Sequence, residues 1–82
     1  MEEGEEVMYR VNGAQLDDIA NRFTYHPPKD GQPQRYGILR DSAKNLALLI
    51  LSETPPSREQ SLALTHLENA IFYANAAIAR NE

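Results

Sequence analysis

All five prolines of this 82-residue chain fall in two clusters, Pro27, Pro28 and Pro33 in one and Pro55 and Pro56 in the other. Proline lacks a backbone N–H and disfavours helical geometry in the residue before it, so each cluster ends a helix that reaches it. Pro33 is the exception, because in the first turn of a helix its missing N–H costs nothing. Beyond the first cluster two proline-free runs remain, from about Gln34 to Glu53 and from about Ser57 to Arg80. Each is long enough for a helix of roughly 30 Å at about 1.5 Å per residue. A short Pro-Pro connection between helices of similar length predicts an antiparallel helical hairpin, an all-α fold.

Hydrophobic spacing agrees. In helix A, about 34–53, Tyr36, Leu39, Ala43, Leu46 and Ile50 recur at helical intervals. The second half, Leu46 to Leu51, is apolar on every side and asks for more than one covering partner. Helix B, about 57–80, opens on Ser57-Arg58-Glu59-Gln60, the pattern of a capping box in which Ser57 accepts from the third residue and Gln60 reaches back. Leu64, Leu67, Ile71, Ala74 and Ile78 share one of its faces, and Ala70, Ala74, Ala76, Ala77 and Ala79 leave room for another helix. Upstream, Leu16, Ile19, Ala20 and Phe23 predict a short helix within Gln15–Phe23, while Val7 to Val11 reads as extended or irregular. Residues 1–6 read as a disordered acidic tail, and 7–82 as a single helical-hairpin domain.

Two helices cannot enclose a core by themselves, and a domain this short buries only about 60% of its unfolded surface. With no cysteine, disulfides and thiolate metal sites are excluded as staples. Oligomerisation is the staple that remains. The formal charge of −4 is local: four of the 12 acidic residues, Glu2, Glu3, Glu5 and Glu6, open the chain, leaving 8 acids against 8 bases in 7–82. A neutral body argues against duplex nucleic acid as a partner, since phosphate neutralisation needs a basic face. No apolar run approaches the roughly 20 residues of a membrane span. The chain also opens without a basic-then-apolar signal pattern, so an intracellular location is expected.

No catalytic constellation stands out. His26 and His66 lie on different elements and lack the i, i+4 spacing of a metalloprotease pair; Asp17 and Asp18 point to different helix faces. There is no glycine-rich phosphate loop and no nucleophile elbow, so neither an enzyme nor a metal or cofactor site is expected. The one locally basic stretch carries Lys29, Arg35, Arg40 and Lys44 against Asp30 and Asp41, where the proline loop meets helix A. A helix N-terminus favours anions, and Arg40 can fork onto a phosphate. Tyr25, His26 and Tyr36 add flat faces beside it, and aromatic stacking with an arginine clamp is how unpaired bases and their phosphates are held. The plainer reading, solvated charges on an exposed face with Tyr36 packed as a core aromatic, fits the same residues and is the more economical on pattern alone. Thr65, Asn69 and Asn75 are polar positions in helix B, read as hydrogen bonding across a subunit interface or out to water.

Two stretches carry a resemblance. Arg22-Phe23-Thr24-Tyr25-His26-Pro27-Pro28 with Gln34-Arg35-Tyr36-Gly37-Ile38-Leu39-Arg40 is one; the run from Pro55-Pro56-Ser57-Arg58-Glu59-Gln60 through Thr65-His66-Leu67-Glu68 to Ala74-Asn75-Ala76-Ala77-Ile78-Ala79-Arg80 is the other. Over about Phe23 to Glu82 the chain resembles the hairpin domain shared by phage anti-CBASS and anti-Thoeris sponges. That resemblance implies a homo-oligomer, a hexamer in the anti-CBASS branch, acting in the cytoplasm of an infected bacterial host. It implies sequestration of cyclic di- or trinucleotide signals without degradation, or of cyclic ADP-ribose variants in the anti-Thoeris branch. A hairpin that docks a protein instead of a nucleotide is the competing reading.

By the same resemblance Tyr25 matches a base-stacking tyrosine and Arg40 a phosphate-holding basic residue, more usually lysine. The Thr65-His66-Leu67 run matches a segment of the second helix. The expected ligand-binding residues are therefore Tyr25, His26, Tyr36, Arg40 and Lys44, with Thr65 and Asn69 from helix B. A proline-rich loop follows Tyr25 where the anti-CBASS branch is more helical, and Ala70 stands where glycine is commoner. These departures favour a dinucleotide site over a trinucleotide one.

Overall fold

Asn12 starts the first helix with a reciprocal cap. Gln15 donates its backbone N–H to Asn12 Oδ1 at 2.8 Å, and Asn12 donates its own to Gln15 Oε1 at 3.0 Å. This satisfies two N–H groups that helix geometry leaves without partners. The resulting helix α1, Gly13–Arg22, begins two residues before the expected Gln15 and ends one short of Phe23, whose N–H closes onto Ile19 O. The computed structural model describes residues 9–82. The acidic opening, read above as a tail over 1–6, and the start of the segment at Val7 and Met8 lie outside the described residues.

Helix α2, Gln32–Glu53, starts two residues earlier than proline spacing predicts. Gly31 adopts φ +81°, a left-handed geometry open to glycine at little cost, and so turns the chain directly into the helix. Pro33 then sits in the first turn. The opposite end closes where Thr54 donates its N–H and its hydroxyl to Ile50 O, just ahead of Pro55-Pro56. Ser57 caps helix α3, Arg58–Asn81, by accepting from Gln60 N at 3.1 Å. Only half of the expected capping box forms here. The Gln60 side-chain amide donates to Thr54 O and Thr54 Oγ1, each at 3.0 Å, and thereby ties α3 to the end of α2 instead of back to Ser57.

These helices run antiparallel, because the start of α2 is bonded to the end of α3. Gln32 is 3% exposed; its Oε1 accepts from Lys29 N at 2.9 Å, and its Nε2 reaches Ile78 O at 3.5 Å and Glu82 Oε1 at 3.3 Å. Lys29 Nζ also bonds the Glu82 backbone oxygen. Between the two ends runs a seam of half-buried residues, Tyr36, Leu39, Ala43, Ala47 and Ile50 of α2 against Leu64, Leu67, Ile71 and Ala74 of α3. Ala47 occupies the place expected of Leu46, which is 46% exposed; the seam steps by four residues at this point, not three.

No strand occurs among the described residues, and only α2 and α3 pack extensively. Burial is nonetheless slight: Ile78, at 8% exposed, is the sole buried apolar side chain among the described residues. The fold measures 58 × 39 × 15 Å with a radius of gyration of 19.4 Å. A closed domain of this length has a radius of roughly 12 Å. One hairpin two helices wide is a layer without a second layer, as the composition argument anticipates. No described helix is long and apolar enough to cross a membrane.

Candidate functional site

Where α1 gives way to the proline loop, His26 Nε2 lies 2.7 Å from Asn21 O. Since a carbonyl only accepts, Nε2 carries the proton, and the loop is tied back to the last turn of α1. This leaves Tyr25 80% exposed beside the hairpin. A groove of about 490 Å³ opens there. The end of α1 supplies Arg22 and the loop Tyr25 and His26; α2 supplies Tyr36 and Arg40; α3 supplies Asn75, Arg80 and the small residues Ala76 and Ala79. Three guanidinium groups and two phenol rings face this space, and no carboxylate lines it. Arg22 is oriented by Asp18 at 3.4 Å and by the Phe23 ring, 5.8 Å below its guanidinium.

A larger groove, about 570 Å³, runs along the other half of the hairpin. Its walls are mostly apolar, Ala47, Leu51, Leu64, Leu67 and Phe72, with Lys44, Glu68 and Arg40 at its edges. The smaller groove, not this one, has the charge and flat rings that suit a nucleotide. Four of the sequence-predicted site residues, Tyr25, His26, Tyr36 and Arg40, meet in the arginine groove. Lys44 lines the apolar groove instead. Thr65 and Asn69 are exposed and line neither. At about 100° per residue Asn69 stands roughly 120° around α3 from Asn75, which does face the grooves.

Neighbourhood in sequence misplaces the charges. Lys29 and Arg35, members of the basic stretch, turn to Glu82 at the hairpin's end, with Arg35 Nη1 at 2.7 Å from Glu82 Oε1. The Arg35 hydrogen bond, joined by that of Gln32, holds the Glu82 carboxyl below the usual carboxylate range and raises the Arg35 guanidinium in turn. The cations that join Arg40 come from far away in the chain, Arg22 and Arg80. Asn75 is a further wall residue that spacing did not select. Arg22, Asn75 and Arg80 all lie inside the two stretches that carry the resemblance, and Asn75 is also a polar position among the apolar residues of helix B. Among the described residues, no three His, Asp or Glu side chains gather as a metal site would need.

An open helical hairpin with an arginine- and tyrosine-lined groove defines a small all-α module suited to a flat anion. The chain belongs to the Acb2/Tad1 hairpin-domain family, whose model matches residues 15–79. This match starts at Gln15, inside α1, so the family domain includes the short helix as well as the hairpin. The family is that of the anti-CBASS and anti-Thoeris sponges, known for binding cyclic oligonucleotides, and membership points to an anti-defence role. No curated protein and no solved structure gives a significant match.

Proposed function

We propose that this is a phage protein that binds cyclic oligonucleotide immune signals in the cytoplasm of the infected host and withholds them without breaking them. Cyclic dinucleotides such as 3′,3′-cyclic GMP-AMP are the first choice. The observation that carries this reading is the arginine groove itself: Arg22, Arg40 and Arg80 with Tyr25 and Tyr36 and no lining carboxylate. Guanidinium forks match phosphate oxygens, and phenol rings offer stacking faces to bases. Sequestration needs no general acid, base or metal, only a slow release rate.

The working unit is a homo-oligomer, and a hexamer is the form the family resemblance implies. Its support is the exposed apolar surface of the single hairpin, with Leu48 at 55% and Phe72 at 60% exposed on the two long helices. Large apolar side chains left exposed on both long helices suit a surface that a partner covers. A neighbouring copy would close the open side of the arginine groove. Since the family unites two branches, cyclic ADP-ribose variants are the alternative ligand for the same groove.

A melting-temperature screen over cyclic dinucleotides, cyclic trinucleotides and cyclic ADP-ribose variants tests the reading, because a ligand at about 100 times its Kd adds roughly 2.7 kcal/mol. Cyclic dinucleotides are expected to raise melting. An unmoved melting temperature across the panel, with a stoichiometric protein partner captured instead, would favour the protein-docking hairpin.

A further inference from the structure

Asn75 and Arg40 are the residues common to the arginine groove and the apolar groove. Asn75 thus stands where α3 passes from Ile71 and Phe72 to the small residues Ala76 and Ala79. Its Oδ1 is buried and without a hydrogen-bond partner, the one side-chain atom in that condition among the described residues. A buried amide oxygen without a donor is destabilising, and in a native protein it needs a reason. Asparagine is also a weaker helix former than the alanines around it. Two local rules are broken at one residue on the wall of a binding groove, which is where such departures concentrate.

The donor that Oδ1 lacks can be specified by its surroundings. The three guanidinium groups suit phosphates, and phosphates are alike in every cyclic dinucleotide. Stacking on Tyr25 or Tyr36 is tolerant of base identity. Exocyclic amines distinguish one base from another and call for an acceptor, and Asn75 is the one carboxamide on the groove wall. An amide turns readily about its last torsion, and asparagine pairs with a purine edge by accepting from an amine while donating to a ring nitrogen. We infer that Asn75 reads the base of the bound nucleotide, its Oδ1 accepting from the exocyclic amine of a purine. The inference rests on the reading that the arginine groove takes a cyclic nucleotide.

Calorimetry on the full chain and on Asn75→Leu tests it with paired ligands. Cyclic di-GMP is paired with cyclic di-IMP, which lacks only the guanine amine, and cyclic di-AMP with its analogue lacking the adenine amine. For the ligand bound best, deleting the amine weakens the natural chain about tenfold or more. Asn75→Leu weakens the intact ligand by a similar factor, and in that variant the amine no longer matters. The free variant melts at the same temperature as the natural chain or higher, because the orphaned oxygen is gone. Natural affinity in Asn75→Leu overturns the assignment, as does an amine effect of equal size in both proteins. Asn75→Ala, with a stronger helix former, gives the same readout should the leucine variant fail to fold. Silence of the natural chain toward every ligand overturns the underlying nucleotide reading, and this assignment with it.

Discussion

Arg35 Nη1 donates to Glu82 Oε1 across 2.7 Å, and the same oxygen accepts from buried Gln32, so one carboxylate pins the start of α2 to the end of α3. A carboxyl held below its unfolded value, about 4.3 for glutamate, stabilises the fold above that pH. This share is lost as pH falls through the lower, folded value. Thermal melts of the natural chain and Glu82→Gln should therefore separate at pH 6–7, the natural chain being the more stable, and converge in acid. A separation that persists unchanged at low pH would show that the carboxylate charge is not what holds the ends together.

Gly37 lies inside α2, where glycine is a poor helix former by about 1 kcal/mol relative to alanine. A Cβ placed there meets only Arg40 Nη2 at 3.6 Å, an ordinary contact. Gly37→Ala should stabilise by about 0.5–1 kcal/mol in denaturant titration. A loss of stability would mean that the methyl group and the Arg40 guanidinium compete for the same space.

The exposed apolar faces predict assembly. Light scattering should give a mass of about six times the 9.2 kDa of one chain. Leu48→Glu combined with Phe72→Glu, on opposite helices of the hairpin, should reduce that mass toward the single chain and lower the melting temperature sharply. A natural chain that stays monomeric at high concentration would contradict the need for a covering partner.

Site residues separate the groove from the basic stretch. Tyr25→Ala and Arg40→Ala should each weaken cyclic dinucleotide binding by about 1–3 kcal/mol, the range for stacking and for charged hydrogen bonds. Arg22→Ala and Arg80→Ala should follow, whereas Thr65→Ala and Asn69→Ala, facing away from the groove, should stay near natural affinity in titration calorimetry. The reverse ranking would place the site on the outer face of α3.

Proline placement and helical spacing made the hairpin legible, down to Leu64, Leu67, Ile71, Ala74 and Ile78 on the buried side of α3. The starts of α1 and α2 were less so, because they turned on an Asn12–Gln15 cap that lacks the usual Ser or Thr and on one glycine geometry at Gly31. Tyr25, Tyr36 and Arg40 were legible as a cluster since a loop and the next helix keep near neighbours together. Arg22 and Arg80 were not, for their approach to Arg40 depends on how α1 and the end of α3 are placed in space. The same limit explains Lys29 and Arg35, whose partner, Glu82, is distant in sequence and adjacent only once the hairpin closes.

The proposed action is capture without chemistry. Titration calorimetry of the natural chain with 3′,3′-cyclic GMP-AMP, followed by heat release and chromatography of the ligand, examines both halves of that action. Saturable, tight binding with ligand recovered intact is the predicted result. Absence of binding to this and to the other cyclic nucleotides and cyclic ADP-ribose variants would contradict it, and so would recovery of a linear or cleaved product.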